Sequence, residues 1–181
     1  MAEEMRRSND GCRHCSLDGS CTTQQNKVRP AMDFREVNEF VESHPGCDVS
    51  VCGETLRRWR RLPGNLKMVD LKSAYLHIRV EENLWNYQKV RFDGELYYLT
   101  KLGFGLCSDP KIMTNILNKV LSFSEQVRRG TDSYIDDIIV NEDVVSAEDV
   151  VSHLALYGLE AKLPESLDGG RVLELFLSQN N

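Results

Sequence analysis

The sequence predicts an α+β fold, in which an antiparallel sheet is covered by helices. The runs KVRF and ELYYL flank Asp93-Gly94, a dipeptide typical of a two-residue turn, so a β-hairpin is expected there. Elsewhere, helical and strand-like patterns follow one another without a regular βαβ alternation, which argues against a parallel doubly wound sheet. The 181 residues suit one ordinary domain with a short arm.

The N-terminal quarter of the chain changes character near Lys27. Residues 1–26 have almost no apolar periodicity and are expected to form a flexible arm. After Lys27, apolar residues recur at helical spacing over 34–41, and Pro45-Gly46 ends that pattern. The first predicted helix therefore lies between the arm and this Pro-Gly pair.

The middle of the chain carries a short apolar run and a strong helix. Residues 66–71 form an apolar run around Asp70. Ser108 or Asp109 can cap a helix whose first turn accepts Pro110. One apolar stripe follows this helix, at Ile112, Met113, Ile116, Leu117, Val120 and Leu121.

The C-terminal third predicts strands, one more helix and a tail. Two β-rich runs, 134–135 and 138–140, bracket the pair Asp136-Asp137. Ser146 with Asp149 three positions later is a capping box, and Gly158 is a natural stop for the helix that it begins. An apolar run over 172–177 and a tail over 178–181 close the chain.

The net charge of −6 is unevenly distributed. From Thr131 onward the balance is −9, whereas residues 1–130 carry +3. The densest basic run, Arg57, Arg58, Trp59, Arg60 and Arg61, lies on a predicted helix over 54–62 that ends at Pro63-Gly64. Such a run is usually a solvated helix face, but it can also neutralise phosphates while its aromatic residue stacks on a base.

Six cysteines occur in a chain without an apolar secretory signal, so reduced thiols are expected. Cys12, His14, Cys15 and Cys21 form a short set of soft zinc ligands, but their spacing is not that of a standard zinc finger. Incidental cysteines in a flexible arm are the alternative. No apolar run approaches a membrane span, and an intracellular protein of cytoplasm or nucleus, neither secreted nor membrane-bound, is expected.

Three carboxylates lie where carboxylates are costly. Asp70 lies inside an apolar run, and Asp136-Asp137 lies between two strand-like runs. Taken singly, Asp70 is read as a cap and the pair as a polar turn. Taken jointly, three carboxylates at one end of a sheet could hold two Mg²⁺ ions about 4 Å apart, as in phosphoryl transfer.

Five segments in order then resemble a known family: VRPAMDFREVN, VDLKSAYLHIRV, LTKLGFGLCSDPKIM, SYIDDIIV and HLALYGLEAK. Together they resemble the reverse transcriptase domain of retrovirus-like and LTR-retrotransposon pol polyproteins, over about Lys27 to Lys162. The resemblance implies the fingers and palm of a right-hand polymerase over 27–177, with the thumb missing. It also implies RNA-directed DNA polymerase activity, which transfers a nucleotide from a dNTP to a primer 3′-hydroxyl on an RNA or DNA template.

The resemblance assigns the chemistry to four residues. Asp70 matches the first catalytic aspartate, and Asp136 with Asp137 match the paired aspartates of the YxDD motif. All three would bind two Mg²⁺ ions, for which Mn²⁺ is a substitute. Lys162 resembles a lysine that protonates the leaving pyrophosphate, although a solvent-facing lysine is an alternative.

The resemblance also implies a nucleotide-binding set and a group of partners. Tyr75 matches the aromatic that packs under the incoming sugar, with a simple core aromatic as the alternative. Gly105 suits a close backbone approach and equally a tight turn. The full nucleotide-binding set is Lys27, Arg29, Leu71, Tyr75, Phe104 and Gly105, and the nucleic-acid contacts are Arg57, Arg58, Arg60 and Arg61. Expected partners are template-primer, dNTPs and the rest of a pol polyprotein, namely thumb, RNase H and integrase.

One departure from the family pattern lies next to the nucleotide loop. Asp109 stands where the family usually has alanine before proline, and it either caps the helix or repels a triphosphate. RVLEL, at 171–175, also lacks the glycine that often opens the primer-gripping hairpin. The alternative function is therefore a catalytically inactive retroelement remnant that acts as a nucleic-acid-binding or protein-interaction module.

Overall fold

The computed structural model describes residues 5–7, 22–24, 27–29, 34–41, 49–92, 94–103, 105–167, 171–172 and 175–176. The chain divides into two compact units. The first, unit 1, consists of Met1–His44 and Tyr75–Asp109, and the second, unit 2, of Pro45–Ala74 and Pro110–Asn181. Each unit therefore joins two separated stretches of the chain.

Unit 1 is built on a three-stranded antiparallel sheet. Its strands are β1 (Met5–Arg7), β5 (Lys89–Phe92) and β6 (Glu95–Leu99), in the order β1-β6-β5. A separate antiparallel pair joins β2 (Thr22–Gln24) to β3 (Lys27–Arg29). Thus β1 and β2 are strands within the segment for which the sequence predicts an arm. The partner of β1 lies far along the chain, and β2, although it pairs with the adjacent β3, has only three residues, too few for an apolar alternation to show.

The predicted hairpin of unit 1 is confirmed. Strands β5 and β6 pair from Lys89 opposite Tyr98 to Phe92 opposite Glu95, and Gly94 in the turn has φ +79°. Glycine adopts this left-handed conformation without the steric penalty of a side chain, as the Asp-Gly signal predicts. The short helix α1 (Arg35–Asn38) contributes Phe34, at its N-cap, to a core with Val90 and Leu99.

Unit 2 is built on a four-stranded antiparallel sheet of order β7-β8-β4-β9. The strands are β4 (Leu66–Asp70), β7 (Thr131–Tyr134), β8 (Asp137–Asn141) and β9 (Glu165–Ser166). The inner strand β8 supplies Ile138, Ile139 and Val140, all almost inaccessible to solvent. A further pair joins β10 (Arg171–Val172) to β11 (Leu175–Phe176).

Among the described residues, unit 2 contains the helices α2 (Val49–Trp59), α4 (Glu125–Gly130) and α5 (Ala147–Leu156), together with α3 (Asp109–Leu121) from its second residue onward. The predicted stripe of α3 is confirmed, with Met113 and Leu117 completely buried. The capping box of α5 is also confirmed, because Ser146 Oγ accepts a hydrogen bond from the Asp149 amide at 3.0 Å. Helix α4 was not predicted, since six residues are too few for a clear apolar period.

The core of unit 2 joins helix to sheet. Leu56 and Trp59 of α2 pack with Leu66 of β4, Ile139 of β8 and Leu167. Helix α5 contacts both β4 and β8. The mixture of helices and antiparallel sheets confirms the α+β class. Within the described ranges, no helix is long and apolar enough to cross a membrane.

Candidate active site

The ends of two neighbouring strands bring predicted carboxylates together. Strands β4 and β8 pair in antiparallel register from Leu66 opposite Asn141 to Asp70 opposite Asp137. Residues directly opposite in an antiparallel pair direct their side chains to the same face, with Cβ atoms about 4.5–5.5 Å apart. The register therefore brings Asp70 and Asp137 together, although 66 residues separate them in the chain.

The third carboxylate lies in a strained turn. Tyr134 pairs with Asp137 across β7 and β8, so Ile135 and Asp136 form a two-residue turn. Ile135 has φ +58°, a left-handed conformation that is unfavourable for a β-branched side chain. Strain of this kind persists only where the surrounding structure holds it. The β7–β8 ladder provides that support and fixes Asp136 beside Asp137.

A backbone bridge brings Lys162 to the same place. Leu71 pairs in antiparallel fashion with Ala161. The Lys162 amide donates to the Asp70 carbonyl and the Lys72 amide to the Glu160 carbonyl, each at 2.8 Å. The Lys162 side chain forms an ion pair with Asp70 Oδ2. Three predicted acidic residues and the predicted lysine thus form one cluster, called here the carboxylate cluster.

The electrostatics of the carboxylate cluster show crowded negative charge. Burial raises the pKa of Asp137 to about 6, the charges of Asp136 and Asp70 add to the increase, and Lys162 opposes it. Burial likewise raises the pKa of Asp136; the charge of Asp70 adds to the rise, whereas a backbone hydrogen bond and Lys162 lower it. Half-buried like charges of this kind are stabilised by a nearby cation.

The donor chemistry of the carboxylate cluster fits a hard divalent cation. Magnesium prefers carboxylate oxygens and usually keeps several waters, and Asp70 with Asp136 and Asp137 offers oxygen donors only. In the described part of the chain, however, no three acidic, histidine or cysteine side chains are already arranged around a common metal position. One carboxylate oxygen of Asp70 instead forms an ion pair with Lys162.

The basic run on α2 divides into a structural part and an exposed part. Trp59 is fully buried and its Nε1 donates to Asp132 Oδ2 at 2.9 Å, so it is a core residue and cannot stack on a base. Arg58 forms two hydrogen bonds to Asp132, at 2.6 and 2.9 Å. Arg57 and Arg61, with Arg58, Glu54 and Leu62, line an open surface groove. Arg57, Arg60 and Arg61 are exposed.

The predicted nucleotide-binding residues are dispersed over both units. Leu71 is buried next to Asp70, and neither hydrogen bond of its bridge uses the Leu71 amide. Tyr75 is half-buried in a short 3₁₀ helix, Ala74–His77. Lys27 and Arg29 lie on β3, where only the backbone is described. Phe104 lies outside the described residues, as do Cys12, His14, Cys15 and Cys21.

Gly105 is held by a residue that the sequence did not single out. The Asn38 side chain donates to the Gly105 carbonyl at 2.8 Å and accepts from the Cys107 amide at 2.9 Å. Gly105 has φ +119°, which favours glycine and fits the tight turn proposed for it. Asn38 ends the VRPAMDFREVN segment, so its place in that motif was the available signal.

Asp109 is buried and binds the backbone of the turn that contains Gly105. Its Oδ2 accepts from the Leu106 amide at 2.9 Å, whereas its Oδ1 has no hydrogen-bond partner among the described residues. Burial raises the pKa of Asp109 to about 7, against a smaller lowering by backbone hydrogen bonds at Leu106 and Gly105. Asp109 therefore stabilises the turn before α3.

Glu160 is a further residue at the cluster that the sequence did not mark, and it contacts Lys72, which flanks Asp70 in the sequence. Lys72 Nζ lies 2.5 Å from Glu160 Oε1. The signal was available in two tripeptides, Asp70-Leu-Lys72 and Glu160-Ala-Lys162, because antiparallel pairing of these sets acid against base twice.

Comparison with known proteins finds similarity in the fold, among solved structures. Neither a protein-family model nor a curated protein matches the chain. Among solved structures, a foamy viral protease-reverse transcriptase dRH in complex with double-stranded DNA matches with a TM-score of 0.77 and 17% identity, covering 98% of this chain. The native prototype foamy virus protease-reverse transcriptase matches with a TM-score of 0.66, 19% identity and 86% coverage.

A second complex of the foamy viral protease-reverse transcriptase with double-stranded DNA matches with a TM-score of 0.67, 17% identity and 88% coverage. This chain spans 31%, 21% and 33% of the three neighbours' lengths, in the order given. It therefore corresponds to a portion of those proteins. The chain therefore has a fold similar to that of part of these protease-reverse transcriptases.

Proposed function

We propose that this chain is the reverse transcriptase domain of a retroelement pol polyprotein. It transfers a nucleotide from a dNTP to a primer 3′-hydroxyl on an RNA or DNA template. Unit 1 is assigned as fingers and unit 2 as palm. The observation that carries the proposal is the pairing of Asp70 with Asp137 beside the Ile135-Asp136 turn, in a reverse transcriptase-like fold.

The proposed cofactor is a pair of Mg²⁺ ions, held by Asp70, Asp136 and Asp137, with Mn²⁺ as a substitute. When bound, these ions supply a lowered pKa at the primer hydroxyl and charge stabilisation at the phosphates. Asp70 and Asp137, at the end of the β4–β8 ladder, and Asp136, in the adjacent turn, orient the reacting groups. Lys162, already beside Asp70, is assigned to donate a proton to the leaving pyrophosphate.

Residues outside the carboxylate cluster are assigned to the substrates. Tyr75 packs under the deoxyribose and excludes a 2′-hydroxyl, and Arg29, with Lys27, binds the triphosphate. The Leu71 amide, Phe104 and Gly105 contact the nucleotide. Template-primer binds through its phosphates to Arg57, Arg60 and Arg61, which are exposed. Arg58 is only a secondary contact, because Asp132 already engages two of its nitrogens.

Primer extension tests this function. The purified chain is incubated with an RNA template, a DNA primer, dNTPs and Mg²⁺, beside Asp136→Asn and the matched variant Asp143→Asn. Asp143 is an exposed acid beyond the end of β8, so its loss leaves the carboxylate cluster unchanged. Extension by the wild type and Asp143→Asn, with at least about a hundredfold loss in Asp136→Asn, is expected.

Equal extension by the wild type and Asp136→Asn would rule out the assigned chemistry. Absence of extension in all three proteins, with retained binding to the template-primer, would favour the inactive nucleic-acid-binding module. Circular dichroism of each variant confirms that differences in extension do not come from unfolding.

A further inference from the structure

Two ion pairs of opposite orientation connect the segment around Asp70 with the segment around Lys162. Asp70 contacts Lys162, and Lys72 contacts Glu160, while the residues between them, Leu71 and Ala161, form the backbone bridge. Two hydrogen bonds of 2.8 Å connect the same two segments, both through backbone atoms. The backbone of Lys162 is thus held beside Asp70, and the Lys72–Glu160 ion pair connects the same two segments on the other side of the Leu71–Ala161 bridge.

We propose that Lys162 is the resident cation of the carboxylate cluster, which a divalent ion must displace from Asp70, and that Lys72 and Glu160 are the positioning residues that keep it there. The inference rests on the proposed function, in which the three aspartates bind divalent ions, and adds that Lys162 competes with such an ion for Asp70. Without a bound ion, the Lys162 ammonium is the cation that offsets the charges of Asp70, Asp136 and Asp137.

Solvent exposure makes this exchange feasible. The Lys162 side chain is 54% exposed and that of Asp70 38%. An ion pair in such a position is held weakly, because water solvates both partners. A divalent ion carries twice the charge and can bind several oxygens, so it can replace the ammonium group. The backbone bridge does not depend on the side-chain contact, so released Lys162 remains near the reacting phosphates.

Direct measurement of Mn²⁺ binding to the intact chain tests the exchange. Isothermal titration calorimetry and the electron paramagnetic resonance signal of free Mn²⁺ both report affinity without any catalytic turnover. Lys162→Met should bind Mn²⁺ about two- to fivefold more tightly than the wild type, which is the factor that a weak exposed ion pair provides. Lys162→Arg keeps the charge and should bind as the wild type does.

Glu160→Gln tests the role of the positioning residues, because the direction of the change in Mn²⁺ affinity distinguishes two effects of this substitution. If the substitution only removes a nearby negative charge, Mn²⁺ binding should weaken. If it also releases the Lys162 side chain from Asp70, Asp70 becomes available to the ion and Mn²⁺ binding should tighten. We expect binding that is about twofold tighter. The exchange of the pair in Lys72→Glu/Glu160→Lys should restore the wild-type affinity. Glu165→Gln, an exposed acid on β9, is the matched control and should not tighten binding.

Unchanged or weaker Mn²⁺ affinity in Lys162→Met would overturn the proposal, as would Mn²⁺ binding that is insensitive to Asp70→Asn. Tighter binding in a protein that extends no primer would support the exchange while the proposed polymerase activity failed. Lys119→Met controls for the loss of one positive charge elsewhere in unit 2, and its affinity should equal that of the wild type.

Discussion

Single carboxylates in this chain have different roles because their surroundings differ. Burial raises the pKa of Asp137 to about 6, and the charges of Asp136 and Asp70 add to the increase. Asp109 has a higher pKa, about 7, and burial is the main cause. One oxygen of Asp109 accepts from the Leu106 amide, and the other has no partner among the described residues. Burial is thus the main cause at both carboxyl groups, and what distinguishes Asp137 is the additional charge of two neighbouring carboxylates.

The raised pKa of Asp109 makes the stability of the chain depend on pH. Its carboxyl group ionises near pH 4 in the unfolded chain and near pH 7 in the folded one. Between these values the folded chain binds the extra proton, so the free energy of unfolding falls as pH rises and levels off above about pH 7. Below about pH 4 both states are protonated and the penalty is absent.

Asp109→Asn removes this pH-dependent penalty and keeps an oxygen that can accept from the Leu106 amide. The unfolding free energy of the variant minus that of the wild type should increase by roughly 2–4 kcal/mol from pH 4 to pH 8. Urea denaturation at both pH values measures the gain. A difference between the two proteins that stays constant with pH would show that Asp109 is ionised in the folded chain.

The residues of the candidate site were predictable to different extents. Asp70, Asp136 and Asp137 were marked by their apolar surroundings, because a carboxylate in a strand-like run is costly unless it has a function. The positive φ of Ile135 could not be predicted, since isoleucine is among the residues least suited to it. Glu160 was missed because its partner, Lys72, becomes its neighbour only through strand pairing.

At the scale of elements, Asp132 joins helix α2 to strand β7. Its carboxylate accepts hydrogen bonds from Arg58 and from the buried Trp59 indole. These contacts fix the helix against the sheet whose ends carry the candidate site. The Arg58 contact is largely exposed and is expected to contribute little, whereas the Trp59 N–H has no access to water.

This difference gives a paired mutational prediction. Asp132→Ala leaves the buried Trp59 N–H without a partner, which should cost about 1–3 kcal/mol in unfolding free energy. Arg58→Ala removes the same ion pair but keeps the Trp59 bond, and should cost about 0–1 kcal/mol. Urea denaturation of both variants makes the comparison. Similar losses would show that the ion pair, rather than the indole hydrogen bond, is the stabilising contact.

The elements that the sequence predicted are those with local signals. The hairpin of β5 and β6 has its Asp-Gly turn, helix α3 its apolar stripe, and helix α5 its capping box. Strands β1 and β2 were missed, because a three-residue strand is defined by its pairing partner. The same holds for the order of strands in the sheet of unit 2, where β4 lies between β8 and β9.

At the scale of the whole molecule, a net charge of −6 conceals a division of sign. The chain from Thr131 onward carries −9 and includes two of the three candidate metal ligands. Residues 1–130 carry +3, and the exposed arginines of the basic run belong to this part. Electrostatic attraction to nucleic acid depends on such a local surface more than on the net charge.

The final prediction concerns the salt dependence of nucleic-acid binding. Each protein cation that neutralises a phosphate on duplex nucleic acid releases counterions and adds about −0.9 to the slope of log affinity against log salt. If Arg57, Arg60 and Arg61 each meet a phosphate, the triple substitution by glutamine should reduce the slope by about 2–3 and weaken binding on every sequence tested. Fluorescence anisotropy with a labelled template-primer measures both quantities.

The matched control for that measurement is Arg128→Gln/Arg129→Gln, on helix α4 of the same unit. Arg128 is already paired with Glu125 at 2.8 Å, and its pKa is raised mainly by that hydrogen bond. This double variant also loses positive charge, but it should leave the slope within about 0.5 of the wild-type value. An equal reduction in both variants would mean that net charge governs binding, and an unchanged slope in the triple variant would make the basic run a solvated helix face.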